Sequence, residues 1–133
     1  MTSTRARLPN AKLNFAENIL RSHVNAQHPS KVAIHSVIEG AVLRSLTWAE
    51  LDEEVRRAAN TLRKLGVQPG DRVAAYTANN AEAVVTLLAT TAVGAIWSAT
   101  PCEFGIEATL SRLHQVSSLS NDQVYRMNTN LRI

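Results

Sequence analysis

Between Asp71 and Gly105 the chain reads DRVAAYTANNAEAVVTLLATTAVGAIWSATPCEFG, and this stretch constrains the fold more than any other. The apolar run Arg72–Thr77 follows the turn Gln68-Pro69-Gly70-Asp71 and predicts a strand. Asn79 or Asn80 then offers an N-cap for a helix running to about Val93, with Glu82 in capping-box spacing from Asn79. Gly94 stops that helix, and Ala95-Ile96-Trp97-Ser98 returns as a second apolar strand. Strand, helix and strand in so short a span make a parallel βαβ unit. Such a unit crosses over right-handed and needs cover on both faces. The fold class that follows is α/β.

The elements before this unit supply cover. Trp48, Leu51, Val55, Ala58, Leu62 and Leu65 recur at alternating steps of three and four, which predicts a helix over Trp48–Leu65 with one buried stripe. Thr47 and Glu50 form its capping box, Asp52→Arg56 and Glu53→Arg57 place acids one turn before bases, and Gly66 and Pro69 end it. Upstream, Asn14 caps a short helix over Phe15–Ser22 with Phe15, Ile19 and Leu20 toward one side. Val32–Ile38 and Ala41–Leu46 flank the turn Glu39-Gly40 and predict a β-hairpin, partly polar and near a sheet edge. Downstream, Ile106–Val116 reads as a helix with Leu110 and Leu113 inward. The helix from Ala81 to Val93 is apolar on every side, so it needs neighbours all round. The chain has few elements left to supply them, which predicts low stability.

Composition narrows the function classes. A chain of 133 residues, 45% hydrophobic and 19% charged, is one domain at most and can bury a core. Its formal net charge is +3, but the basic residues are scattered and only 5% of residues are aromatic, so no nucleic-acid surface is expected. Ala83–Cys102 runs 20 residues without a formal charge, long enough for a membrane span. Its four threonines, Gly94, Ser98 and Pro101, and the flanking Glu82 and Glu103, fit a buried helix plus strand better. No membrane partner is expected. The lone Cys102 excludes an internal disulfide and suits a reducing compartment, here the cytoplasm. His23, His28, His35 and His114 show no ligand spacing, so no metal site is expected.

The loop after Ser98, Ala99-Thr100-Pro101-Cys102-Glu103-Phe104-Gly105, follows a parallel strand at the end where open α/β sheets place their ligands. Cys102 has no histidine near it in sequence, which favours an inert thiol over a nucleophile.

The stretches LNFAENIL (13–20), SLTWAEL (45–51), LRKLGVQPGDRVAAY (62–76), NNAEAVVTLLATTAVGAIWSA (79–99) and EFG (103–105) carry a resemblance. Together they resemble the acetoacetyl-CoA synthetases, a branch of the adenylate-forming (AMP-dependent) acyl-CoA synthetase family. The GV-x-PGDRVA stretch points to the superfamily, and NFAEN with GAIWSA points to the acetoacetate branch. The resemblance implies a partial N-terminal subdomain of the adenylate-forming enzyme fold, a β-hairpin plus βαβ unit with covering helices.

It also implies the ligation of acetoacetate to coenzyme A through an acyl-adenylate, using ATP and Mg²⁺. By the same resemblance Ser98 and Phe104 lie near the channel that admits coenzyme A, while Cys102 and Glu103 depart from the small residues common there. No catalytic residue is assigned. The five glycines (40, 66, 70, 94 and 105) are isolated, so no glycine-rich phosphate loop is present. This chain alone is therefore expected to be inactive and to bind none of these cofactors tightly.

Three spans follow: 1–12, extended or disordered; 13–116, the start of the synthetase N-terminal domain; and 117–133, a polar tail expected to be disordered. The tail, SSLSNDQVYRMNTNLRI, departs from the family, which continues with a Pro-Lys turn and another strand. Out-of-frame or intron-derived sequence closing a truncated product would read this way. A non-catalytic interaction module pairing through an unfinished sheet edge is the alternative.

Overall fold

The computed structural model of the chain describes residues 12–22, 27–37, 44–117 and 124–128. In chain order the elements are α1 (Phe15–Leu20), β1 (Val32–Ser36), β2 (Arg44–Thr47), α2 (Trp48–Lys64), β3 (Arg72–Tyr76), α3 (Ala81–Ala92), β4 (Ile96–Thr100), α4 (Ile106–Ser117) and β5 (Val124–Asn128). Strands β4, β3 and β5 lie side by side in that order, all parallel. β3 pairs with β4 from Arg72↔Ile96 to Tyr76↔Thr100. The predicted βαβ unit is therefore β3, α3 and β4.

β3 is central, and it buries Arg72, Val73, Ala74 and Ala75 in succession. A strand buried on both faces loses the polar alternation of a half-exposed one, and small side chains let the covering elements approach closely. Asn80, not Asn79, caps α3, with its Oδ1 accepting from the Ala83 N–H at 3.0 Å. Every residue of α3 is buried or half-buried. Its neighbours are α1, α2, β1 and β4, so this chain supplies the cover that seemed lacking. Helix α2 lays Leu51, Val55, Ala58 and Leu62 into the same core as Val73, Val85, Leu88 and Ala89.

The residues that carry the family resemblance act here as scaffold. The Thr47 capping box forms in both directions, with the Glu50 carboxylate accepting from the Thr47 N–H at 2.8 Å. Asn14 caps α1 by accepting from the Glu17 N–H at 3.1 Å, and its Nδ2 donates to the Thr91 carbonyl at 2.9 Å. One amide thereby ties the start of the chain to α3. In the Pro69-Gly70-Asp71 turn the Asp71 carboxylate accepts from the Gln68 N–H at 2.7 Å. The Gly70 N–H then donates to the Gly94 carbonyl at 2.9 Å. Gly70 (φ 92°) and Gly94 (φ 82°) occupy the left-handed region, and a Cβ on Gly94 would lie 3.2 Å from Pro69 Cβ.

Several expectations change. The hairpin strands are shorter than predicted and form a separate two-stranded sheet; the Glu39-Gly40 turn lies outside the described residues. Phe15 is exposed and Ala16 is the buried residue of α1, because a helix of 6 residues rests only its inner face on α3. Leu65 and Leu110 are also exposed. Among the α4 residues whose burial is described, the buried one is Thr109, since that helix covers one edge of the sheet and not a two-sided core.

Within the span expected to be a disordered tail, Val124–Asn128 pair in parallel with β3 from Arg72↔Val124 to Tyr76↔Asn128. The reason lies in β3. A central strand presents backbone donors and acceptors on two sides, and burial makes leaving one side unpaired costly. Residues 1–11, most of the predicted N-terminal span, lie outside the described residues.

Candidate functional site

The loop joining β4 to α4 is held from below by β3. The Thr77 N–H donates to the Thr100 carbonyl at 3.1 Å and extends the β3–β4 ladder by one bond. The Tyr76 hydroxyl lies 2.7 Å from the Cys102 carbonyl and 3.3 Å from the Phe104 carbonyl, either of which accepts its proton. Within the loop the Phe104 N–H donates to the Pro101 carbonyl at 3.2 Å. The Thr109 N–H then donates to the Gly105 carbonyl at 3.1 Å, starting α4.

Beside this loop an open groove of ≈ 700 Å³ runs between β4 and α4. Ser98 and Thr100 line it from the strand, and Ala108, Ser111, Arg112 and Gln115 from the helix. The Arg112 guanidinium stands 4.4 Å over the centre of the Phe104 ring. A cation over an aromatic face gains electrostatic energy and loses rotamer freedom, so the stacked pair presents the guanidinium in a defined place. Among the described residues, hydroxyls and a guanidinium line the groove and no carboxylate does.

Of the two residues singled out from sequence, Ser98 lines the groove directly. Phe104 contributes through the ring on which Arg112 rests. The Cys102 thiol is exposed, and the backbone of that residue is what the loop uses. Sequence reading missed Tyr76, Thr100 and Arg112. Tyr76 left a faint signal, a polar-tipped aromatic closing an apolar strand. Arg112 left none, because its partner lies two helical turns back across a loop.

A second groove, ≈ 310 Å³, lies where α1 meets α2 and carries Arg21, Asp52, Arg56 and Arg63 on its rim. Of these, Arg56 is held in an ion pair on its own helix. Arg56 Nε and Nη2 both donate to Glu53 at 2.8 Å, and Arg57 Nε donates to it at 2.6 Å. These two guanidinium groups pull the Glu53 carboxyl down to about 2, and the Thr47 backbone and hydroxyl bonds lower Glu50. Arg44 bridges Glu54 on α2 (2.5 Å) and Glu82 on α3. These pairs are solvated cross-links of the helical layer. Among the described residues no three of His, Cys, Asp and Glu gather as a metal site, and no helix is long and apolar enough to cross a membrane.

The chain is similar to known proteins over most of its described length. It is 44% identical over 107 residues to the malonamoyl-CoA synthetase vrtB of Penicillium aethiopicum, covering 80% of this chain and 15% of that protein. It is 46% identical over 102 residues to the acetyl-coenzyme A synthetase of Streptomyces avermitilis, covering 77% of this chain and 16% of that one. The solved acetoacetyl-CoA synthetase from Streptomyces lividans superposes with a TM-score of 0.71 at 43% identity, over 78% of this chain and 16% of that chain. The chain thus spans about 15% of the length of the curated relatives it matches. The family model described as AMP-binding enzyme matches residues 21–118. Sequence and fold together place the chain in the AMP-binding enzyme family, the adenylate-forming acyl-CoA synthetases.

Proposed function

We propose that this chain supplies an N-terminal part of a ligase that joins a short carboxylic acid to coenzyme A through an acyl-adenylate, and that its groove lies on the coenzyme A side. The observation that carries this reading is the family match over residues 21–118, with relatives at 43%, 44% and 46% identity all named as CoA synthetases. Those names cover three acids, and the motif pair NFAEN and GAIWSA favours acetoacetate among them. On this reading residues 13–116 form the start of the ligase domain and work in the cytoplasm.

Coenzyme A supplies the thiol that accepts the acyl group, and the groove suits its phosphate-bearing, amide-rich chain. Ser98 would exchange a hydrogen bond with an amide of the pantetheine arm, and Phe104 would hold the loop wall and Arg112 in place. ATP and Mg²⁺ fit the described residues poorly. No carboxylate cluster is there to hold a metal, and no glycine-rich loop approaches a pyrophosphate. No adenylation step is assigned to these residues.

A chimera tests the proposal. Residues 21–116 replace the matching segment of the Streptomyces lividans enzyme, and AMP release is followed with acetoacetate, acetate and malonamate. Coenzyme A-dependent AMP release, fastest with acetoacetate, is expected. A folded chimera that still exchanges pyrophosphate with ATP but forms no thioester would overturn the coenzyme A assignment.

A second reading, an interaction module, draws on one feature. β4 ends the sheet among the described residues, and Ile96 on it is 54% exposed. It predicts dimers in light scattering that Ile96→Lys abolishes; a monomeric wild type would discard it.

A further inference from the structure

We propose that the end of the molecule at the amino ends of β3 and β4 docks on an anionic lipid surface, through Leu13, Phe15 and Leu65 with Lys12, Arg63 and Lys64 around them. The backbone gathers several segments there. Asn14 Nδ2 donates to the Thr91 carbonyl, and the groove beside α1 brings Asn14, Arg63 and Ala92 together. The Gly70 N–H donates to the Gly94 carbonyl, and the Ile96 N–H donates to the Asp71 carbonyl at 2.7 Å. The start of α1, the ends of α2 and α3 and the starts of β3 and β4 therefore share one end, opposite the loop that follows Thr100.

Two independent observations mark this end. Leu13 is 72% exposed, Phe15 and Leu65 are more than half exposed, and Ile96 is exposed at the same end. Large apolar side chains clustered in water mark a contact surface. The second observation is charge. Lys12, Arg21, Arg63 and Lys64 are exposed here and form no ion pair among the described residues, against the carboxylates of Glu17 and Asp71. In sequence, the eleven residues before Lys12 carry Arg5 and Arg7 and no acid.

A basic collar would face itself in a two-fold pair, so it disfavours a second copy and favours an anionic partner. Apolar tips that protrude enter an acyl layer without needing a matching pocket, while the bases meet the headgroup phosphates. No helix among the described residues is long and apolar enough to cross a bilayer, so the contact is at the surface. It revises the expectation that no membrane takes part, leaves the β4–α4 loop on the water side, and does not depend on the function proposed above.

Co-sedimentation of the 133-residue chain with vesicles tests it, using phosphatidylcholine alone and phosphatidylcholine mixed with phosphatidylserine. Binding to the mixed vesicles is expected, about tenfold tighter than to phosphatidylcholine and weaker as salt is raised. Lys64→Gln is expected to weaken it about fivefold, one basic residue's share of the attraction. Leu13→Ser is expected to weaken it about tenfold. Both side chains are exposed, so the melting temperature should hold. Lys31 is an exposed base whose carbonyl accepts from the Trp48 N–H at the far end of α2, and Lys31→Gln should leave binding unchanged. No binding to the mixed vesicles, equal binding to both lipids, or equal losses for Lys31→Gln and Lys64→Gln would each overturn the proposal. So would dimers in light scattering that Leu13→Ser abolishes, which assign the face to a second copy. Binding of polyglutamate with the vesicles left unbound would also overturn it and assign the face to an acidic protein.

Discussion

Replacing Asn14 by alanine is expected to destabilise the chain by about 2 kcal/mol, although Asn14 lies away from the groove between β4 and α4. Two losses add. The cap on α1, in which Oδ1 accepts from the Glu17 N–H at 3.1 Å, is worth about 1 kcal/mol. The Nδ2 bond to the Thr91 carbonyl at 2.9 Å joins residues 77 apart in a part-buried place and is worth about 1 kcal/mol more. Asn14→Asp separates the two. A carboxylate caps as well as an amide but cannot donate to Thr91, and it sets an anion beside a carbonyl oxygen. It should therefore cost about 1 kcal/mol or more while leaving the cap intact. Urea unfolding followed by the fluorescence of Trp48 and Trp97 measures both. With a slope of about 2 kcal/mol per molar urea, Asn14→Ala lowers the midpoint by about 1 M and Asn14→Asp by at least half as much. An alanine variant within about 0.2 M of wild type, or an aspartate variant equal to it, would refute the cross-link and return Asn14 to unexplained motif.

Three further changes probe the same scaffold. Thr90 is fully buried and its Oγ1 has no hydrogen-bond partner, so Thr90→Val should stabilise by about 1 kcal/mol in thermal unfolding; a loss of stability would mean the hydroxyl is paired. Gly70→Ala and Gly94→Ala both place a side chain in the left-handed region, at about 1–2 kcal/mol, but only Gly94→Ala also drives a Cβ to 3.2 Å from Pro69. Gly94→Ala should be the more damaging of the two, and equal urea midpoints would remove the turn-against-turn contact from the account. Glu53 has its carboxyl lowered to about 2 from the usual 4.5 by Arg56 and Arg57, so the folded state binds its proton less readily than the unfolded one. Its contribution is fully present above pH 4.5 and is lost as pH falls toward 2, so the wild type and Glu53→Gln should converge there. A gap that stays constant across that range would contradict the pairing; the site is exposed and screened, so the gap itself is small.

The sequence made the scaffold legible where local rules decide it. The Thr47–Glu50 box, the α2 stripe from Leu51 to Leu62 and the Gly94 stop each depend on residues within a turn of one another, and each stands where the pattern put it. Patterning failed where distant parts decide. Phe15 and Leu65 have core chemistry and the right spacing, yet both stay more than half exposed, at 54% and 58%. β5 was invisible as a strand because a polar, aperiodic stretch gains its order from the open side of β3 and not from its own composition. The groove was half legible. Ser98 was readable from its place after a parallel strand, whereas Arg112 becomes meaningful only once the loop folds Phe104 beneath it.

Release of AMP by the purified 133-residue chain itself, given acetoacetate, ATP, Mg²⁺ and coenzyme A beside the Streptomyces lividans enzyme, tests the central claim most directly. These residues are held to supply a scaffold and a coenzyme A-side groove, with the phosphate-binding loop absent from them. The account predicts AMP from the Streptomyces enzyme and none from the chain. AMP formed by the chain at a rate that rises with its concentration would contradict it, since adenylation would then proceed at a nucleotide site built from these residues.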